Sequence, residues 1–287
     1  MNRRGFLAGL AWLPFSLRAW GGDGHRLITR LAVKTLPEDM PAFFPAALYQ
    51  LEVLSIEPDE WRDQEERALS ETLYPGHETD HIFKADVFRV EKLPLDRYHY
   101  FDQLHRERRD VRRVGTLPYR AMELFQRSRV SYRRWMKAEG NLRRVYEARI
   151  IEDAGIMNHY LADASMPMHV SRNYNGWFEE NNPKEFSRDR TAHGRFESAF
   201  VKARITDEIV MPHMKPVKVV TDGLGEIHAH VNRSLGRLEP LYELEKMEPF
   251  SAECSRPEHI KLCAECLADG ASTARDFWYS AWKTLQV

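Results

Sequence analysis

NLRRVYEARIIEDAGIMNHYLADASMPMH, residues 141–169, reads as one long helix closed by a proline. Leu142, Val145, Tyr146, Ile150, Ala154, Met157 and Leu161 recur with the helical period over Asn141 to Ser165. Pro167 cannot continue that helix, so the chain turns there. His159 and Asp163 stand at i and i+4 and share one helix face. The turn lets His169 swing back toward the same face. Imidazole nitrogen and carboxylate oxygen are ordinary zinc ligands.

A second His-x-x-x-acid pair, His193 and Glu197, falls in another helical candidate, Thr191 to about Ile209. One such pair is more often a hydrogen-bonded surface couple. Two pairs plus His169 resemble the way helical bundles build inward-facing metal sites.

Further helices flank these. Asp23 precedes a stretch with Leu27, Ile28, Leu31 and Ala32 at helical spacing, closed by Pro37. Thr116 and Pro118 read as the cap and first turn of the next, PYRAMELFQRSRVSYRRWM. Leu224 to Met247 holds at least one more, interrupted by Pro240. Pro257 to Gln286 closes the chain. Residues 55–115 are the least regular. Strand-like alternation is scarce, and neither an internal repeat nor a linker is visible. The expectation is an all-α protein with a single helical domain at 20–287.

The chain has 287 residues, 43% hydrophobic and 30% charged, enough to bury a proper core. Its net charge of −1 argues against a protein that coats nucleic acid, though not against an enzyme acting on it locally. No apolar run reaches the roughly 18 residues of a membrane span.

Residues 1–19, MNRRGFLAGLAWLPFSLRA, carry Arg3 and Arg4, then a short apolar stretch, then Ala19. This resembles a twin-arginine export signal, although Leu17 is larger than usual before a cleavage site. A buried first helix is the competing reading. Export would place the protein in the periplasm or outside the cell and leave the mature chain near −4, beginning at Trp20. In that setting Cys254, Cys263 and Cys266 read as one disulfide and one free thiol, since a lone CxxC cannot complete a four-cysteine zinc site.

Taken together, H-x-x-x-D-x-x-x-x-x-H at 159–169, H-x-x-x-E at 193–197 and Trp20-Gly-Gly-Asp-Gly-His25 resemble the zinc-dependent phospholipase C and S1/P1 nuclease superfamily. In that family the amino group and carbonyl of a mature N-terminal Trp bind zinc with the nearby His. The signal would be cut where such a site needs the cut. The resemblance implies Pro58-Asp59 and Asp80-His81-Ile-Phe83 as the remaining ligand segments, with an insertion between them. Asp63 competes with Asp59, and His77 and His99 compete with His81.

Carried across, the family pattern implies three zinc ions. Asp59, His81, His159 and Asp163 would hold one. Trp20 and His25 would hold a second, bridged by Asp163. His169, His193 and Glu197 would hold the third. The matches span 20–197, and residues 198–287 add only a helical remainder. The implied chemistry is hydrolysis of a phosphodiester by a zinc-activated water, with Asp59 as a candidate base and Arg62 on the phosphate.

The branch signals disagree. Trp20-Gly-x-x-Gly-His25 and Asp59-x-x-Arg62 look like the nucleases, which cut single-stranded nucleic acid. Pro58-Asp59, Pro167-Met168-His169 and Glu197 look like phospholipase C, the favoured reading. Ala162 and Met166 depart from both. The run Arg106, Arg108, Arg109, Arg112, Arg113 is either a solvated loop or a dock for phosphate-rich substrate or a membrane surface. Tyr174 and Trp177 could flank a substrate, or pack in the core. No obligate protein partner is evident. A non-catalytic, exported metal-binding protein is the alternative of a different class.

Overall fold

The computed structural model describes residues 20–69 and 74–284, and among these there is no strand. The segment expected to be an export signal lies outside them. The principal helices are α1 (Gly22–Lys34), α2 (Leu48–Leu54), α3 (Arg97–Arg106), α4 (Leu117–Trp135), α5 (Gly140–Ser165), α6 (Gly223–Leu235), α7 (Leu238–Met247) and α8 (Pro257–Lys283). No helix among the described residues is long and apolar enough to cross a membrane.

Helix α5 is the axis of the molecule, packed chiefly against α4 and α8 and flanked by α1, α2 and α6. From Ile150 onward it is almost wholly buried on every side. Its first turns differ from the expected stripe, because Leu142 and Val145 are 55% and 54% exposed. Trp135 at the end of α4 covers the other side of these turns, with Arg143 over its ring and Glu147 accepting from its Nε1.

Close packing needs small residues at the crossings. A Cβ on Gly155 would lie 2.4 Å from Leu54 Cβ, and one on Gly270 would lie 2.8 Å from Ser165 Oγ. The last carbonyls of a helix lack internal partners. Here Trp20 Nε1 donates to Ala162 O at 2.9 Å, and His230 Nε2 donates to Leu161 O at 3.0 Å. Trp278 Nε1 likewise donates to Ala154 O at 3.0 Å.

Several local expectations are corrected. Thr116 is the N-cap of α4 with Pro118 in its first turn, as expected, but its hydroxyl donates to Asp80 Oδ1 at 2.6 Å instead of to the helix. Pro240 does not interrupt a helix. The break falls at Gly236 and Arg237, and Pro240 lies in the first turn of α7, where its missing N–H costs little. The candidate at 191–209 divides into Ala192–Gly194, a π-helical Arg195–Phe200, Val201–Arg204 and, after Ile205, Asp207–Val210. Among the described residues of 55–115, α3 is the longest helix and the others run seven residues or fewer.

The expected disulfide is absent. Cys254, Cys263 and Cys266 are free and buried. Burial pushes the Cys266 thiol up to about 12, which disfavours its thiolate. Trp177 packs on Phe186 and Tyr242, as an aromatic core residue does.

Two predictions follow from this packing. Gly155→Ala gains about 1 kcal/mol of helix propensity but meets a rigid Cβ, and overpacking costs about 1–3 kcal/mol. The expected net effect is a lower urea midpoint with an unchanged m-value. The second concerns Asp269, buried on α8 and paired with Lys215, with Arg237 Nη1 at 3.0 Å and with Arg233 Nε at 3.4 Å. Burial alone pushes its carboxyl up, but His230, Arg233 and Lys215 outweigh this and hold it well below the usual range. Its stabilisation is therefore full above the unfolded value near 4 and fades as pH falls below that. Asp269→Asn should cost about 3 kcal/mol at pH 7 and flatten the acid limb of a stability–pH curve.

Candidate metal centre

The C-terminal end of α5 carries the chemistry. Asp163 lies three residues from Met166, which ends the helix, with Pro167–Val170 forming a short 3-10 turn beyond. That turn brings His169 back over Asp163. The segment after Asp80 is tied to the same place, since Phe83 N donates to His169 O and Ala85 N to Val170 O. His81 arrives through this pairing. Asp59 sits in the one-turn helix Glu57–Glu60. His25 comes from α1. His193 and Glu197 flank the start of the π-helical stretch, a distortion that often accompanies functional sites.

Asp163 is the hub and is fully buried. Its Oδ2 is 3.0 Å from His81 Nδ1 and 3.3 Å from His159 Nε2. Its Oδ1 is 3.4 Å from His25 Nε2. Asp59 Oδ1 lies 3.8 Å from His81 Nδ1 and 3.9 Å from His159 Nε2. On the far side, His169 Nε2 faces His193 Nε2 at 3.2 Å, and His193 Nε2 lies 2.8 Å from Glu197 Oε2.

Three buried triads could each hold a metal ion: His25, His159 and Asp163; Asp59, His81 and His159; His169, His193 and Glu197. The first differs in detail from the family-based expectation, because His159 stacks on His25 with ring centroids 4.2 Å apart and joins both groups. Trp20 is brought alongside. Its indole donates to Ala162 O and to Ser165 Oγ.

The donor chemistry fits cations. His159 Nδ1 donates to Ser55 O at 2.8 Å, His169 Nδ1 to His81 O at 2.9 Å, and His193 Nδ1 to Tyr174 O at 2.5 Å. Each bond leaves the neutral ring with a lone pair on Nε2, the arrangement that outer carbonyls impose on metal-binding histidines. In this form His169 and His193 present lone pair to lone pair, a contact that only a shared cation or proton makes favourable. Several buried atoms also lack any hydrogen bond: both nitrogens of His25, His81 Nε2, Asp163 Oδ1 and Glu197 Oε2. Such atoms are costly when unpaired.

The electrostatics divide the histidines. Burial lowers His81 to about 4 and His169 to about 3, whereas Asp163 raises His159 and Glu197 raises His193 against their burial. Burial would raise Asp163, but His159 and His169 outweigh it and hold the carboxyl well below its usual range. Asp59 is likewise lowered, since His159 and Arg62 overcome its burial. Arg62 is ion-paired to Asp59, and its Nε is buried without a partner.

The rival candidates go elsewhere. Asp63 is exposed and accepts from Glu66 N. His77 is half-buried against the Trp61 ring. His99 is exposed and bonded to Asp96. The carbonyl acceptors of Ser55 and Tyr174 had no signal in the sequence, because every residue type offers a backbone carbonyl.

No protein-family model matches this chain. No curated protein matches it either. Among solved structures, it is similar to alpha toxin from Clostridium absonum, at 14% identity and a TM-score of 0.45, over 92% of this chain and 64% of that one. It is also similar to alpha-toxin from an avian strain of Clostridium perfringens, at 14% identity and a TM-score of 0.45, over 93% and 65%. The chain thus spans less than two thirds of the length of either toxin.

Glu197→Ala should remove one metal equivalent from the protein, measured by elemental analysis after dialysis against zinc. For the chelator-treated wild type, zinc at a hundred times its dissociation constant should add about 2.7 kcal/mol of stability per site.

Proposed function

We propose that this chain is a zinc-dependent hydrolase of phosphoric esters, of the phospholipase C type, with three metal ions. The observation that carries the reading is the buried convergence of Asp59, His81, His159, Asp163, His169, His193, Glu197 and His25, with unpaired donor atoms directed at one another. An export signal at 1–19, cut after Ala19, belongs to the same proposal. The mature Trp20 would then offer its amino group and carbonyl beside His25 and Asp163. Export to the periplasm or beyond follows from that segment.

Zinc, when bound, supplies Lewis acidity and lowers the pKa of a water from 15.7 to about 7. The remaining steps belong to the protein. Asp59, held deprotonated, accepts a proton from the water that attacks phosphorus. Arg62 turns its planar fork from Asp59 to the phosphoryl oxygens and neutralises their growing charge. One P–O bond forms to the attacking oxygen and the ester P–O bond breaks. The leaving alkoxide takes up a proton, and the products are an alcohol and a phosphomonoester. Burial of the ligands excludes competing water and strengthens each of these interactions.

A second reading, a nuclease acting on single-stranded nucleic acid, is favoured by Arg62 at its Asp-x-x-Arg spacing. Parallel assays on phosphatidylcholine micelles and single-stranded DNA decide between them. Turnover of neither by the zinc-loaded protein would leave a non-catalytic metal-binding role.

Arg62→Lys keeps the charge but loses the fork. It should lower kcat/KM by about 10- to 100-fold, as loss of a charged hydrogen bond does, with metal content unchanged. N-terminal sequencing of exported protein should begin at Trp20.

A further inference from the structure

We infer that the depression formed by Arg108, Arg109 and Arg113 is an anion site for a phosphate group, separate from the metal centre and independent of the hydrolase reading. Helix α3 stops after Arg106, and Arg109 N donates to Leu104 O at 2.9 Å while Arg108 N donates to His105 O at 3.0 Å. This is the Schellman stop, whose left-handed position strongly prefers glycine. Arg108 occupies that position, with φ of 54°. Glu185, at 52°, is the other non-glycine residue with positive φ among the described residues. A Cβ-bearing residue is disfavoured there, so Arg108 holds this position at a small backbone cost.

What that side chain faces is informative. Arg108, Arg109, Asp110, Arg113, Val87 and Val114 line a depression of about 280 Å³, ample for a phosphate group. The two nearby acids are already used. Asp110 accepts from Arg112 Nη2 at 3.0 Å, and Glu107 from Arg109 Nε at 2.8 Å. No carboxylate is paired with Arg108 or Arg113 among the described residues. Two uncompensated guanidinium forks on one rim suit the oxygens of a phosphate monoester or a phospholipid head group.

The site also has a place in the fold. Lys84 N donates to Val114 O at 2.7 Å, and its neighbours Phe83 and Ala85 bond to His169 and Val170. The depression therefore backs onto the segment that delivers His81 to the metal centre, without sharing a side chain with it.

The test uses the full-length, zinc-loaded protein and the variants R108G and R108G/R113Q. R108G should melt no lower than the wild type, and up to about 2 °C higher, because glycine suits the stop. Calorimetric titration with inorganic phosphate should find one site fewer in R108G/R113Q, and at least about tenfold weaker binding at that site in R108G. Cosedimentation with phosphatidylglycerol vesicles, but not phosphatidylcholine vesicles, lost in R108G/R113Q, would assign the phosphate to a lipid head group. Phosphate binding without vesicle binding would assign a soluble phosphate. Equal phosphate stoichiometry and affinity in wild type and double variant would overturn the inference. So would a clear fall in the melting temperature of R108G, which would make the arginine structural.

Discussion

Asp163 sets the constraint that the rest of the structure answers. A carboxylate near the C-terminus of a helix sits at the negative end of the helix dipole. This one is also fully buried, which removes the water that would otherwise screen it. A charge so placed survives only inside a positive surround. His25, His81, His159 and His169 supply part of it, all within 3.9 Å of one carboxylate oxygen or the other. Neutral imidazoles cannot complete it. The unpaired nitrogens of His25 and His81 and the unpaired Asp163 Oδ1 leave cations as the natural completion.

The helical scaffold exists around that point. Trp20 and His230 donate to the carbonyls of Ala162 and Leu161 near the end of α5. Gly155 and Gly270 let α2 and α8 approach it closely. A helix buried on all sides, as α5 is beyond Ile150, can present a charged group only where its end meets several other segments. Six segments meet at Asp163, and each brings one or two donors. This explains why the candidate ligands are scattered between residues 25 and 197 yet fall within a single cluster.

Much of this was legible in residue order. The period of apolar residues located the long helices, with α1, α4, α5 and α8 close to their expected limits. The i, i+4 pairs at 159–163 and 193–197 located half of the cluster, because that spacing brings side chains together on any helix. Pro240 and the cysteine pairing were misread, and the Thr116 hydroxyl bonds distant Asp80 rather than the helix that Thr116 precedes.

Spacing along one helix is a local property, so the sequence by itself determined the all-α class, the pairing of His159 with Asp163 and that of His193 with Glu197. It could not choose between Asp59 and Asp63, or among His77, His81 and His99, because these lie in the short helices and loops of 55–115, where no period constrains direction. Only the tertiary structure decided that. Backbone pairing of 83–85 with 169–170 carries His81 inward, and burial of the Glu57–Glu60 turn carries Asp59 with it, while Asp63 and His99 remain in solvent. The same holds for the outer carbonyls of Ser55 and Tyr174. Their contribution is a backbone atom common to all residues, and only its position in space gives it a role.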